Sequence, residues 1–310
     1  MLKIDRKPNL VEDFLDKYID SVYNKLGKNI NSGFKYNNNN ISLSKMDKRF
    51  LKQEFSKDKI KGIIQADTDE LKSTIKHLSI KKDLCNKSTK LYKAIYNAFV
   101  MNGYNKIDKF EFIKNIGLKS CPYCNRSYVY TINKNKNLKP EIDHFYPKAL
   151  YPYLAISYYN LIPSCPVCNG FGAKGSKDSY KDKLKNPYDI NYDDFQFTFE
   201  INSVDIENNS ICEDSIEIKL KSKIDANNKY FQIENLYKEH RDIVLDLYHK
   251  TKKEYSPSFL ELLNKDIDDL DLTKEDIYRF ITCGYYNNDD LHKRPLSKLI
   301  KDISQELNLI

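Results

Sequence analysis

Nowhere in the 310-residue chain does an apolar run approach the ~20 residues that a membrane span requires, and the opening Met-Leu-Lys-Ile-Asp-Arg has no apolar leader core. No internal repeat is visible. Cysteine is scarce and unevenly used. Of seven, four stand in two C-x2-C pairs, and Cys85, Cys212 and Cys283 are left scattered and odd in number. That argues against a secreted disulfide framework and for a reducing cytoplasm. What is present suffices for real cores: 40% of residues are hydrophobic and 13% aromatic, in a length that suggests two or three domains.

Charge is also unevenly distributed. Residues 1–120 carry 25 Lys and Arg against 14 acids, 121–190 carry 10 against 5, and 191–310 carry 16 against 25, so that balances of +11, +5 and −9 make the net +7. A basic first half that runs into the cysteine-bearing middle is what a phosphate-binding surface needs. The alternative is a general bias toward Lys, Asn and Ile, since net charge speaks to non-specific binding and not to fold.

The strongest chemical signal runs from Cys121 to Ser176. Cys121-Pro-Tyr-Cys124 and Cys165-Pro-Val-Cys168 share the form Cys-Pro-x-Cys. Four thiolates at that local spacing make a tetrahedral zinc site. Sites of this kind are closed and structural, so the chemistry must come from the insert, which holds Glu141-Ile-Asp143-His144 and Asn160-Leu-Ile-Pro163, and from Asn169 after the last cysteine. Hydrolysis of a phosphodiester needs a base near neutrality, and His144 is the candidate. A hard divalent cation such as magnesium prefers oxygen ligands and takes only one or two from protein; the Asp143 carboxylate and the Asn169 amide oxygen supply those two. Neighbouring strand residues point to opposite faces, so Asp143 and His144 require a bend at the strand end to act together. Glu141 shares the Asp143 face and suits an outer acceptor.

These residues, in this order, resemble the zinc-stabilised form of the HNH, or ββα-metal, nuclease motif. Asp143-His144-Phe-Tyr-Pro147 matches the end of its first strand, Asn160-Leu-Ile-Pro163 its second strand, and Cys168-Asn169 the start of its helix. The resemblance implies the bend, with His144 aimed at the attacking water and Asp143 and Asn169 at magnesium or manganese. Asn160 would tie the loop and help hold the imidazole in one orientation. Asp-His-Phe-Tyr-Pro-Lys followed by Asn-Leu-Ile-Pro-Ser-Cys is further similar to the HNH nucleases of Septu-type and retron-associated anti-phage systems. That resemblance implies an ATPase partner, for which the acidic last third is a candidate docking surface. One departure stands out: Asn169-Gly-Phe-Gly-Ala-Lys174-Gly places three glycines where a helix should continue, at about 1 kcal/mol each relative to Ala. Lys174 then either contacts phosphate from a loosened turn or is a surface charge.

The remaining chain reads as mostly helix. An apolar stripe from Val11 to Leu26 predicts a helix over 8–26 ended by Gly27, and the Asn-rich segment 28–44 reads as a mobile loop. Further helices are expected near 45–57, 68–82, 88–102 (capped by Ser88) and 107–116, making the first 118 residues all-helical. Alternation in Phe195–Ile201 and Ser215–Leu220 predicts a small hairpin, a long helix follows over 228–254, Thr273-Lys-Glu-Asp276 resembles a capping box, and Pro295 suits a first helical turn. His77, His249 and His292 read as structural; His240-Arg241 is the exception to watch. The tyrosines between Tyr146 and Tyr159 either stack on bases or pack the loop.

The expectation is an α+β chain: a helical region 1–118, a zinc-bound HNH module 119–190, and a β-hairpin with helices over 191–310. It acts as an endonuclease on DNA. A ribonuclease acting on structured RNA and a catalytically silent zinc-bearing binding module are the alternatives.

Overall fold

The computed structural model describes residues 1–81, 84–135, 137–170, 172–254 and 273–309. Its mixture of helices and short antiparallel hairpins is an α+β architecture. The chain forms two compact units, each assembled from separated stretches: Ile4–Gly117 with Thr131–Asp189, and Met1–Lys3 with Leu118–Tyr130 and Ile190–Ile310. Among the described residues no helix is long and apolar enough to cross a membrane.

The first of these units is organised on α1 (Pro8–Ser32), whose Val11, Phe14, Leu15, Ile19, Val22, Leu26 and Ile30 are buried on one face. This helix runs past Gly27, correcting the expected end. Nothing crowds Gly27, and the stripe continues to Ile30, so burial outweighs the roughly 1 kcal/mol a helical glycine costs. The Asn-rich segment is likewise not a loop. β1 (Phe34–Tyr36) and β2 (Asn39–Ile41) pair as a hairpin whose two-residue turn, Asn37-Asn38, has φ of 47° and 63°. Asparagine tolerates this left-handed conformation, which a tight hairpin turn demands, so the region is not all-helical.

Helices α2 (Lys45–Glu54), α3 (Lys57–Gln65), α4 (Thr68–Lys81), α5 (Lys90–Tyr96) and α6 (Lys109–Ile116) complete the helical part. Residue 82 of the helix expected over 68–82 lies outside the described residues. The caps are local: Ser44, Ser56 and Asp108 accept backbone N–H groups at the starts of α2, α3 and α6, and Gly117 ends α6 at φ 83°. At α5 the cap is Thr89, not Ser88, which is spent on Asn86. Buried Glu54 ties three helices together by accepting from Lys81 (2.7 Å), His77 (3.1 Å) and Lys59 (3.2 Å). In the same unit β3 (Glu141–His144) pairs antiparallel with β4 (Leu161–Ser164), placing Asp143 opposite Ile162 and His144 opposite Leu161. A single helical turn, α7 (Pro166–Asn169), follows.

The other unit is built on a seven-residue antiparallel hairpin, β5 (Phe195–Ile201) with β6 (Ile216–Ser222), whose Phe195, Phe197, Ile216 and Ile218 are buried. The short α8 (Ser203–Glu207) lies in their connection. The long helix expected over 228–254 is broken into α9 (Asp225–Phe231), α10 (Ile233–Tyr237) and α11 (Arg241–His249). Gln232 turns left-handed at φ 52°, and this kink lets Phe231, Ile233 and Tyr237 all be buried. Helix α12 (Lys274–Thr282) carries the expected capping box between Thr273 and Asp276. Helix α13 (Ser297–Glu306) begins two residues beyond Pro295 and packs on β5, where Asp302 accepts the Phe197 N–H at 2.9 Å.

Candidate functional site

Each cysteine pair sits in a turn that aims backbone N–H groups at sulfur. After Cys121-Pro-Tyr-Cys124, the Arg126 amide approaches the Cys124 Sγ at 3.4 Å. The turn is held by Asn125, at φ 52°, whose amide group donates to Ser120 Oγ and to the carbonyls of Leu291 and Arg294 and accepts from the Lys298 N–H. Tyr237 donates its hydroxyl to the Cys124 carbonyl at 2.6 Å, and Tyr123 stacks on Phe231. Cys165 caps α7, its sulfur accepting from the Cys168 N–H at 3.5 Å. All four cysteines are buried, and their sulfurs lie within 4.8 Å of one another, a cluster positioned to hold a metal ion. Four soft sulfurs so placed suit the tetrahedral sulfur shell of zinc.

On β3 the residues alternate. Glu141 and Asp143 leave one face and His144 the other, and hydrogen-bonded strand pairing continues through His144. Asp143 is 3% exposed, and its Oδ1 accepts from the Lys174 ammonium at 3.0 Å. Lys174 is completely buried and donates a second bond, 2.7 Å, to the His144 carbonyl. It is therefore neither a surface charge nor a phosphate contact from a loosened turn. The glycine-rich stretch after α7 folds back, with the Lys174 N–H on the Cys168 carbonyl and the Gly175 N–H on that of Asn169, and this carries the ammonium inward to the carboxylate.

The His144 ring is buried, and its Nε2 lies 3.1 Å from the Ala155 carbonyl oxygen. A carbonyl only accepts, so the bond places the ring proton on Nε2 and leaves Nδ1 with its lone pair. Burial, and then the positive charges of Lys148, Lys174 and Lys109, hold the imidazole pKa well below its ordinary value, which keeps the ring neutral at pH 7. The ring packs edge-on against Tyr104, centroid to centroid 4.4 Å. Tyr104, pushed up to about 12 by burial and by the charges of Asp143 and Glu141, also carries the Lys148 ammonium at 4.5 Å and the Lys109 ammonium at 4.8 Å from its ring centre.

The two asparagines do different things. Fully buried Asn160 accepts the Tyr146 N–H at 2.7 Å and donates to the carbonyls of Tyr146 and Leu154 at 3.1 and 3.0 Å. It closes the loop between the strands and reaches the residue next to Ala155, whereas the imidazole itself is held by the Ala155 carbonyl. Asn169, at the end of α7, donates its Nδ2 to Glu141, which leaves its amide oxygen as the remaining donor for a cation. Glu141, Asp143 and Asn169 are hard oxygen donors on one side of β3, a set chemically suited to magnesium or manganese.

Tyrosines 146, 151, 153, 158 and 159 are buried and contact one another or their neighbours edge to face, so the loop tyrosines pack and do not present faces for bases. His240 accepts from Arg126 Nε at 2.8 Å, and Arg241 lies 3.5 Å from Asp214. Sequence reasoning passed over Tyr104, Lys109 and Lys148. Only Lys148, inside Asp-His-Phe-Tyr-Pro-Lys, carried a local signal.

No protein-family model matches the chain, and no solved structure does. A stretch of 47 residues is 49% identical to the Septu protein PtuB of Bacillus thuringiensis; it makes up 15% of this chain and spans 18% of that protein.

Proposed function

We propose that the chain is a metal-dependent HNH-type endonuclease that hydrolyses phosphodiester bonds of DNA, and that it serves as the effector nuclease of a bacterial anti-phage system working with an ATPase partner. The observation that carries this reading is the state of His144: neutral, with Nε2 committed to a carbonyl and Nδ1 carrying its lone pair, one residue from a buried carboxylate. Such an imidazole can take a proton from water. A divalent cation, when bound, neutralises charge on the phosphate and on the departing sugar oxygen. Asp143 and the Asn169 amide oxygen would hold it, with Glu141 orienting Asn169 and the Lys174 ammonium holding the Asp143 carboxylate in place. Asn160 keeps the loop that carries Ala155 from drifting. Zinc on Cys121, Cys124, Cys165 and Cys168 would pin the segments that flank this hairpin. The short identity with a Septu protein supports the defence setting and the partner.

The test is incubation of the purified chain with plasmid DNA and with total RNA in magnesium or manganese, alone and with the product of its neighbouring gene. Cleavage of DNA, lost in His144→Ala with zinc content unchanged, is the expected result. Cys165→Ser should lose both zinc and cleavage. Undiminished cleavage by His144→Ala would refute the mechanism, and cleavage of RNA alone would move the substrate to structured RNA. One observation favours a second reading: the Lys174 ammonium already satisfies Asp143 without a metal, as it would in a silent binding module. Binding without turnover in every divalent cation would establish that reading instead.

A further inference from the structure

Tyr104 and Lys109 come from the helical segment upstream of the first cysteine pair, yet they meet the loop residue Lys148 beside the His144 ring. Lys109 opens α6 and Lys148 follows the Phe-Tyr-Pro turn after β3. Both ammoniums rest within 5 Å of the centre of one tyrosine ring, and neither is in an ion pair among the described residues. Burial and neighbouring positive charge press both lysines toward their neutral forms: Lys148 by desolvation and then by Lys109, and Lys109 by desolvation and then by Lys139. The nearest relief for Lys148, Asp143, is already engaged by Lys174. Two half-buried cations on one ring, with no carboxylate of their own, are costly unless an anion joins them, since a ring quadrupole offsets only about 0.5–2 kcal/mol of that cost.

We infer that Lys109 and Lys148, seated on Tyr104, form a subsite for two neighbouring backbone phosphates of the nucleic acid next to the scissile position, one to each lysine, contributed in part by the helical region and not by the cysteine-bounded segment alone. This rests on the nuclease reading and adds to it the residues that position the strand. Each lysine neutralises one phosphate charge and releases its counterions, so the contribution is visible in the salt dependence of binding. Lysine serves here as a point charge without base preference, so the subsite takes DNA or RNA through the same phosphate chemistry.

The test uses the full zinc-loaded chain without added magnesium or manganese, and fluorescein-labelled 20-base-pair DNA and RNA duplexes of one sequence, with Kd followed from 50 to 200 mM salt. Lys109→Gln and Lys148→Gln should each lower the slope of log K against log salt by about 0.9 on DNA, and the double variant by about 1.8. The unaltered chain should therefore lose about 12-fold more affinity than the double variant across that salt range. Lys148→Arg, which keeps the charge, should keep the slope. A double variant whose slope and Kd equal those of the unaltered chain on both duplexes would overturn this inference and leave the nuclease reading standing. Failure of the unaltered chain to bind either duplex would overturn both, and equal slope losses on DNA and RNA would place discrimination between the two elsewhere.

Discussion

Replacing Lys174 by Met removes one half of an ion pair whose side chains are 0% and 3% exposed. The Asp143 carboxylate would then stay buried without its cation, and the His144 carbonyl would lose a 2.7 Å bond. Stranding a buried charge in this way costs about 3–5 kcal/mol. For a unit of this size, a loss of 1 kcal/mol lowers Tm by about 2–4 °C, so Lys174→Met should melt about 6–20 °C below the unaltered chain when no divalent cation is added. Removing both charges, in Asp143→Asn with Lys174→Met, should destabilise less than Lys174→Met alone, because the orphaned charge is gone. Magnesium or manganese should restore part of the loss in the single variant, by about 2.7 kcal/mol at a hundredfold excess over Kd, and should not do so in the double variant. Calorimetry on the three chains, with and without manganese, reads all of these effects. A Lys174→Met protein that melts within 2 °C of the unaltered chain would show that Asp143 is not held as a buried anion. Equal responses of single and double variants to manganese would show that Asp143 is not a cation ligand.

Two further outcomes follow from buried polar groups in the same unit. Glu54 is pulled down to about 2 from 4.5, chiefly by Lys81 and then, against burial, by His77 and Lys59. A depressed carboxylate stabilises the fold above its unfolded pKa and loses that contribution as pH falls through the interval, so on the order of 2 kcal/mol should disappear between pH 5 and 3. Urea titrations should show that portion missing in Glu54→Gln, and an unchanged pH dependence in the variant would refute the assignment. Asn160→Ala leaves two carbonyls and one N–H of the inter-strand loop without their partner, a loss of about 2–5 kcal/mol. Hydrogen exchange at the Tyr146 amide should accelerate in that variant, and protection as strong as in the unaltered chain would contradict the role given to Asn160.

What could be read directly from the chain was what short-range chemistry decides. Cys-x2-Cys spacing, the alternation in Phe195–Ile201 and the Thr273–Asp276 capping box each depend on residues within one turn or one strand, and each is found where its pattern stands. The misreadings have the same physical source seen from the other side. A glycine inside α1 looked like an end because the burial of Ile30 is a tertiary fact, and four asparagines looked like a loop until two of them turned left-handed between paired strands.

The site divides along the same line. Asp143, His144, Asn160 and Asn169 were nameable from residue type and order alone. Which of them is neutral, which is paired and what each touches depends on groups far away in sequence. Lys174 reaches Asp143 across 31 positions, Ala155 supplies the carbonyl for His144, and Tyr104 brings Lys109 and Lys148 to the imidazole. Protonation and ion pairing are set by burial and by neighbouring charge, and only the folded chain establishes either. The sequence by itself determined the chemical inventory; the tertiary structure decided the electrostatic state in which that inventory is held.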